Sequence, residues 1–162
     1  MTNDEIDLRA FLNQHRVCEA LTLHEVEVLL EFTELVRFRK NAIIADIGEV
    51  GEALYFVVRG EASLVLQADR EQVELAHARE GDLLGEMSFF DREPRSIRLV
   101  ATRNDTRLLR LTTAKYQRLR IAHPFIAVNL LEQAVVSLDR LLRSVSHDMV
   151  TFSRYIRAGR GD

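Results

Sequence analysis

Two charged residues flank a short apolar patch in the segment GEMSFFDREPRS, which runs from residue 85 to residue 96. Glu86 lies just before the patch and Arg95 lies just after it. Burying either charge without a partner costs several kcal/mol, on the order of the stability margin of a whole domain. The segment is therefore either an exposed loop with hydrated charges or the wall of a pocket. In the second case, a bound ligand interacts with both charged side chains.

The residue types in this segment suit a phosphate and a sugar. A glycine-led turn into a short helix, which Gly85 allows, exposes backbone N–H groups that bind anions. The Arg95 guanidinium matches two phosphate oxygens at once, and the Ser96 hydroxyl adds one more donor. Glu86 cannot bind a phosphate, but it can accept a hydrogen bond from a sugar hydroxyl and pair with Arg95 when the site is empty. A phosphate beside a ribose hydroxyl indicates a nucleotide.

The segment lies within a region of predicted strands. Short runs of β-branched or alternating apolar residues recur from about residue 36 to Leu111, and these strands must position it. Gly, Asp, Asn and Pro separate the runs, which is typical of a β-sandwich or barrel. Arg59 and Gly60 between two runs predict a tight hairpin turn. Alternation along the run QVELAHA predicts one face with Val73, Leu75 and His77 and another with Glu74 and Ala76.

Helical patterns lie on both sides of the strands. We expect a helix over residues 4–15 and a second one after the capping box of Thr22 and Glu25. The sequence predicts an α+β protein: an antiparallel β-roll of the double-stranded β-helix or jelly-roll type, with N-terminal helices and a long C-terminal helix. Its parts are a helical segment (1–35), the β-roll with a short helix (36–122), the long helix (123–158) and a tail (159–162).

Apolar residues recur along the predicted long helix at spacings that alternate between four and three positions. This heptad stripe comprises Leu131, Val135, Leu138, Leu142, Val145, Met149, Phe152 and Ile156. A mean spacing of about 3.5 residues favours a partner helix, whereas a helix on its own roll has a broader face with a period of about 3.6. We expect a homodimer through this helix, and packing on the roll of the same chain is the alternative.

The composition argues against several other classes of protein. The net charge of −3 over 162 residues gives no sign of nucleic-acid binding. The five histidines are isolated in the sequence, unlike the clustered ligands of a cupin-type metalloenzyme, so we expect no enzyme, metal or cofactor. Cys18, the only cysteine, is expected to be a small buried residue. Without a signal peptide or membrane span, a cytoplasmic protein is expected.

The chain resembles a cyclic nucleotide-binding domain, the family of catabolite activator proteins and protein kinase A regulatory subunits. The residues Gly85–Ser88 and Pro94–Ser96 resemble the two ends of its phosphate-binding cassette (residues 85–96 here). The segment Gly48–Gly60 resembles its glycine-punctuated hairpin. The resemblance covers about residues 10 to 145, nearly the whole chain.

The resemblance implies a role for each part of the site. Glu86 is expected to bind the ribose 2′-hydroxyl, Arg95 the cyclic phosphate, and Leu141 of the long helix to cap the base. The full set of expected ligand-binding residues is Gly85, Glu86, Met87, Ser88, Arg95, Ser96, Leu64, Leu75 and Leu141. The chain departs from the family pattern at Ile97 and Arg98. The Arg98 side chain either crowds the pocket or projects from the opposite face of its strand.

The resemblance also implies a regulatory function. The resemblance to bacterial members favours cyclic AMP as the ligand. Cyclic GMP is also possible, because no residue of the sequence selects the base. We expect no DNA-binding helix-turn-helix after the long helix, so the partner that responds to the ligand is an unidentified effector protein. A dimerisation or docking module whose nucleotide pocket has been lost is the alternative.

Overall fold

The structure is a computed structural model that describes residues 7–15 and 18–158. The elements are α1 (Leu8–Gln14), α2 (Leu23–Glu31), β1 (Glu34–Phe38), β2 (Ile43–Ala45), β3 (Ala53–Arg59), β4 (Ala62–Ala68), β5 (Glu71–Ala78), β6 (Leu83–Leu84), α3 (Glu86–Asp91), β7 (Ile97–Ala101), β8 (Thr106–Thr112), α4 (Thr113–Ala122) and α5 (Pro124–Ala158). The predicted α+β roll is confirmed. The predicted tail, 159–162, and the start of the helix predicted over 4–15 lie outside the described residues.

Two four-stranded antiparallel sheets form the roll, with strand orders β1-β8-β3-β6 and β2-β7-β4-β5. The two middle strands of the first sheet, β3 and β8, are buried on both faces, because the second sheet covers one face and the helices cover the other. Alternate residues of β3 show this directly: Tyr55 and Val57 join the core between the sheets. Leu54 and Phe56 join the core under the helices. A strand covered on both sides has to be continuously apolar, as β3 is.

The helix ends form as the sequence predicts. Thr22 and Glu25 make both hydrogen bonds of a capping box at the start of α2. Thr112 caps α4 by accepting from the backbone N–H of Lys115 at 3.3 Å. Cys18 is buried as expected, and burial raises the pKa of its thiol to about 12, so the thiol stays protonated.

The two faces predicted for β5 are wrong, because a β-bulge interrupts the strand. Glu74 and Ala76 pair with consecutive residues of β4, which leaves Leu75 as an extra residue between them. An extra residue shifts the two-residue alternation, so Glu74 lies on the same side as His77. Glu74 Oε1 is 2.6 Å from His77 Nε2.

The long helix α5 has 35 residues and extends about 52 Å. It packs on the roll through Ile126, Ala127, Leu130 and Ala134, which are all buried. The heptad stripe faces elsewhere, since Val135, Leu142, Met149 and Phe152 are each about two-thirds exposed. The alternative in which the stripe covers the roll of its own chain is therefore wrong.

A close backbone approach at Gly51 holds the cassette against the loop before β3. A Cβ atom here would overlap the backbone of Ser88 and Phe89 in α3. The Gly51 N–H donates to Ser88 Oγ at 2.6 Å, and this hydroxyl donates to the Glu93 carbonyl at 2.6 Å. Glycine is required because α3 lies directly on this loop.

We expect Gly51→Ala to lower the free energy of unfolding by about 2–3 kcal/mol, the range for overpacking a rigid site. Gly48→Ala is the matched control, since a Cβ at Gly48 meets no atom within 4 Å although its φ is +85°. The control should lose about 1 kcal/mol through backbone strain alone. Chemical denaturation measures both, and equal losses would contradict the close approach.

Candidate functional site

Two adjoining cavities lie between the second sheet, α3 and α5. The large cavity, about 410 Å³, is bounded by β5, the turn before β6 and the middle of α5. The cassette cavity, about 110 Å³, is bounded by residues of the cassette and the start of β7. Leu64, Glu86 and Leu141 line both cavities. Together the cavities have the size of a small-molecule site.

The turn into α3 forms one wall of the cassette cavity. Gly85, the residue before the helix, has φ +83°, a conformation that favours glycine. The absence of a side chain also makes room for Arg95, because a Cβ at Gly85 would lie 3.2 Å from a guanidinium nitrogen. The guanidinium therefore lies directly beside the start of α3, where the first-turn N–H groups have no partner within the helix.

Arg95 is a buried cation. Its side chain and backbone are only 8% exposed, and within the described residues its guanidinium makes no hydrogen bond or ion pair. The backbone of Arg95 is held on both sides, since its N–H donates to the Glu49 carbonyl and its carbonyl accepts from Gly48, each at 2.8 Å. Burial lowers the pKa of the guanidinium, and the charges of Glu49 and Glu86 act against this shift. The carboxylates of Glu49 and Glu86 thus act on this cation only from a distance.

Glu86 is a buried carboxylate at the junction of the two cavities. It is 7% exposed, and its Oε1 accepts a hydrogen bond of 2.7 Å from the Ser137 hydroxyl of α5. Burial raises the pKa of Glu86, and the hydrogen bonds from Ser137 and from its own backbone N–H offset part of the increase. The expected ion pair between Glu86 and Arg95 is not formed; Glu86 Oε1 accepts from Ser137 instead.

The other expected site residues lie around the same two cavities. Leu75 lines the large cavity, and Met87 and Ser96 line the cassette cavity. Ser88 also lines the cassette cavity, but its hydroxyl is engaged by Gly51 and Glu93 and braces the cassette. The structure thus brings all nine predicted residues to one continuous site.

Sequence reasoning missed the polar wall of the large cavity. Glu74, His77, Asp82 and Arg140 line this cavity, and Arg140 Nη1 donates to Asp82 Oδ1 at 3.1 Å. Arg140 lies one helical turn after Ser137, so the two residues share a face of α5. This spacing could have predicted that Arg140 lines the same cavity.

Within the described residues, no group of three or more His, Cys, Asp or Glu side chains is placed to hold a metal ion. The same part of the chain contains no helix that is long and apolar enough to span a membrane.

Known proteins share the sequence and the fold around these cavities. The sequence model of the family described as "Cyclic nucleotide-binding domain" matches residues 35–123, more than half of the chain. This chain belongs to that family. The family predicted from the cassette is thereby confirmed.

A receptor and a gated channel are among the similar proteins. The cyclic AMP receptor protein of Thermus thermophilus is 30% identical over 151 residues, which cover 87% of this chain and 69% of that protein. A cyclic nucleotide-gated potassium channel of Mesorhizobium japonicum is 37% identical over 103 residues, 62% of this chain and 27% of the channel. The crystal structure of the Thermus thermophilus catabolite activator protein matches with a TM-score of 0.70 and 30% identity, over 85% of this chain and 63% of that one.

The two departures from the family pattern leave the site of this cyclic nucleotide-binding domain open. Arg98 projects from the outer face of β7, where its Nε donates to Asp46 Oδ1 at 2.7 Å. This hydrogen bond holds the pKa of Asp46 below its ordinary value. Ile97 packs against the core between the sheets and lines the cassette cavity with apolar surface. The question of whether Arg98 crowds the pocket is settled, because its side chain points away from it.

We expect Glu86→Gln to raise the melting temperature of the ligand-free domain at pH 7. The folded-state pKa of Glu86 lies above its ordinary value of 4.5, so ionising this buried carboxyl costs stability as pH rises through the folded pKa. Glutamine removes that cost and still accepts from Ser137. The gain should vanish below about pH 4.5, where the carboxyl is protonated in both states. Glu93→Gln, at an exposed position, is the control without a gain, and a loss of stability in Glu86→Gln at pH 7 would contradict the assignment.

Proposed function

We propose that this domain binds one 3′,5′-cyclic nucleotide per chain, with cyclic AMP favoured, and acts as a regulatory sensor for another protein. The observation that carries the proposal is the buried Arg95 guanidinium, which has no hydrogen-bonding partner among the described residues. A buried cation is strongly destabilising when it is unpaired, and a cyclic phosphate supplies one negative charge and two free oxygens in the geometry that guanidinium binds.

The order of groups along the two cavities matches the order of groups in a cyclic nucleotide. The phosphate fits the cassette cavity, where Arg95, the start of α3 and the Ser96 hydroxyl converge. Glu86 lies at the junction, where the ribose hydroxyl requires an acceptor. The base then extends into the large cavity, between Leu75 on the roll and Leu141 on α5.

The preference for cyclic AMP rests on the relatives. The Thermus thermophilus protein that is 30% identical is named a cyclic AMP receptor. The leucines that enclose the base region contact any purine equally, so cyclic GMP is the direct competitor. Calorimetric titration with both nucleotides measures the preference. If neither nucleotide gives heat or a thermal shift at millimolar concentration, the module with a lost pocket is the better description.

We expect Arg95→Ala to remove roughly 2–5 kcal/mol of nucleotide binding, the usual cost of truncating one partner of a buried charge pair. This corresponds to an affinity loss of about 30-fold to several thousandfold. Arg98→Ala is the matched control: it removes a guanidinium three residues away on the outer face and should change affinity less than about twofold. Calorimetry measures both variants, and wild-type affinity in Arg95→Ala would refute the phosphate assignment.

The output of the sensor is proposed to pass through a homodimer of α5 helices that presents the change to an effector protein. The heptad stripe is a continuous apolar surface, and such surfaces normally mark a contact with a partner. Parallel pairing is favoured by the resemblance to the dimeric members of the family. The stripe contains no polar residue to specify register, so it determines the number of helices weakly.

We expect Leu138→Glu with Leu142→Glu to give folded monomers, because four like charges would meet in each dimer. The control, Asp139→Glu with Arg143→Glu, places two glutamates at the same spacing beside the stripe and should leave the dimer intact. Sedimentation at tens of micromolar measures both, and a wild-type monomer at that concentration would reject the dimer.

A further inference from the structure

The hydrogen bond between α5 and the cassette involves the carboxylate that the proposed ligand needs. Ser137 Oγ donates to Glu86 Oε1 at 2.7 Å. Both residues line the large cavity, so the Ser137 hydroxyl approaches the carboxylate from the side on which a ribose would lie. Glu86 is nearly inaccessible elsewhere, being 7% exposed. A sugar hydroxyl that binds the same oxygen, Oε1, has to displace the Ser137 hydroxyl.

We propose that Ser137 competes with the ribose 2′-hydroxyl for Glu86, so that the empty domain holds α5 with the group that later binds the ligand. The inference rests on the proposed function, since it requires a ribose in the site. An ionised carboxylate only accepts hydrogen bonds, and a buried one keeps a donor in both states. Ser137 supplies the donor when the site is empty, and the sugar supplies it when the site is filled.

The exchange is reversible at low cost because a helical serine has a second acceptor. A serine within a helix can donate to the carbonyl four residues earlier, here that of Gln133. The released Ser137 hydroxyl therefore does not remain unpaired. Exchange is then a substitution of one donor for another at Glu86, without a buried polar group left over.

The consequence for α5 follows from how little else holds its second half. Ala134 is its last buried residue among the described side chains. Beyond it, Arg140 pairs with Asp82 at 3.1 Å, but the Arg140 side chain is 57% exposed, and exposed ion pairs contribute little. Loss of the Ser137 hydrogen bond frees the helix to shift while the base is bound against Leu141. Binding of the sugar hydroxyl is thereby coupled to the position of α5.

The test compares cyclic AMP with 2′-deoxy cyclic AMP, which lacks the competing hydroxyl. We expect Ser137→Ala to tighten binding of cyclic AMP about fivefold to tenfold, the equivalent of one ordinary hydrogen bond no longer broken on binding. Binding of the deoxy ligand should change less than about twofold. Ser137→Thr keeps a hydroxyl and should behave as wild type. Ser146→Ala is the matched control, because Ser146 is an exposed serine of α5 that lines neither cavity.

A second readout follows the Glu86 carboxyl by NMR titration. Removal of the Ser137 hydroxyl should raise the Glu86 pKa in the empty domain, because this hydrogen bond opposes the effect of burial. The affinity increase and the pKa increase should appear together in Ser137→Ala and be absent from Ser146→Ala. A merely structural serine would not link the sugar hydroxyl to the titration of Glu86.

Three outcomes overturn the inference. Weaker binding of both ligands to Ser137→Ala would show that Ser137 supports the bound state. Equal tightening of both would show that the effect does not pass through the 2′-hydroxyl, and unchanged binding of both would show that no competition occurs. If wild type binds cyclic AMP in these cases, only this inference fails. If wild type binds neither ligand, the proposed function fails and the inference fails with it.

Discussion

The constraint on which the site depends is the burial of one positive charge without an opposite charge in contact. Arg95 is held by its backbone through Glu49, so its side chain is free to serve the cavity. Gly85 leaves room beside it, and the hydrogen bonds of Ser88 to Gly51 and Glu93 brace the turn that carries it. The roll leaves Arg95 only 8% exposed, and a charge in such surroundings interacts more strongly with other charges than it would at a wet surface.

Glu86 is the second buried charge of the site. It lies near the Arg95 guanidinium but does not contact it. The Ser137 hydroxyl gives the carboxylate a neutral donor, and the guanidinium stays out of contact with it. The domain thus retains a carboxylate and a guanidinium in places where apolar residues of similar size would fold more stably.

The parts of the site that depend on neighbouring residues could be predicted, and the parts that depend on distant pairing could not. The cassette, residues 85–96, is a local sequence whose glycine, carboxylate and guanidinium indicate their chemistry directly. The bulge at Leu75 depends on which residues of β4 face β5, and periodicity within one strand carries no such information. The contact of Ser137 with Glu86 joins residues 51 positions apart. The hydrogen bond of Arg98 with Asp46 likewise joins residues 52 positions apart.

The bulge makes one residue in the wall of the large cavity independent of the strand pairing of the roll. Leu75 stands outside the regular pairing of β4 with β5, while Glu74 and Ala76 on either side of it are paired. Because the ladder does not use this residue, its exchange or even its deletion leaves the flanking side chains on the faces they already occupy. Substitution of Leu75 can therefore reshape the wall of the large cavity while the strand register stays the same.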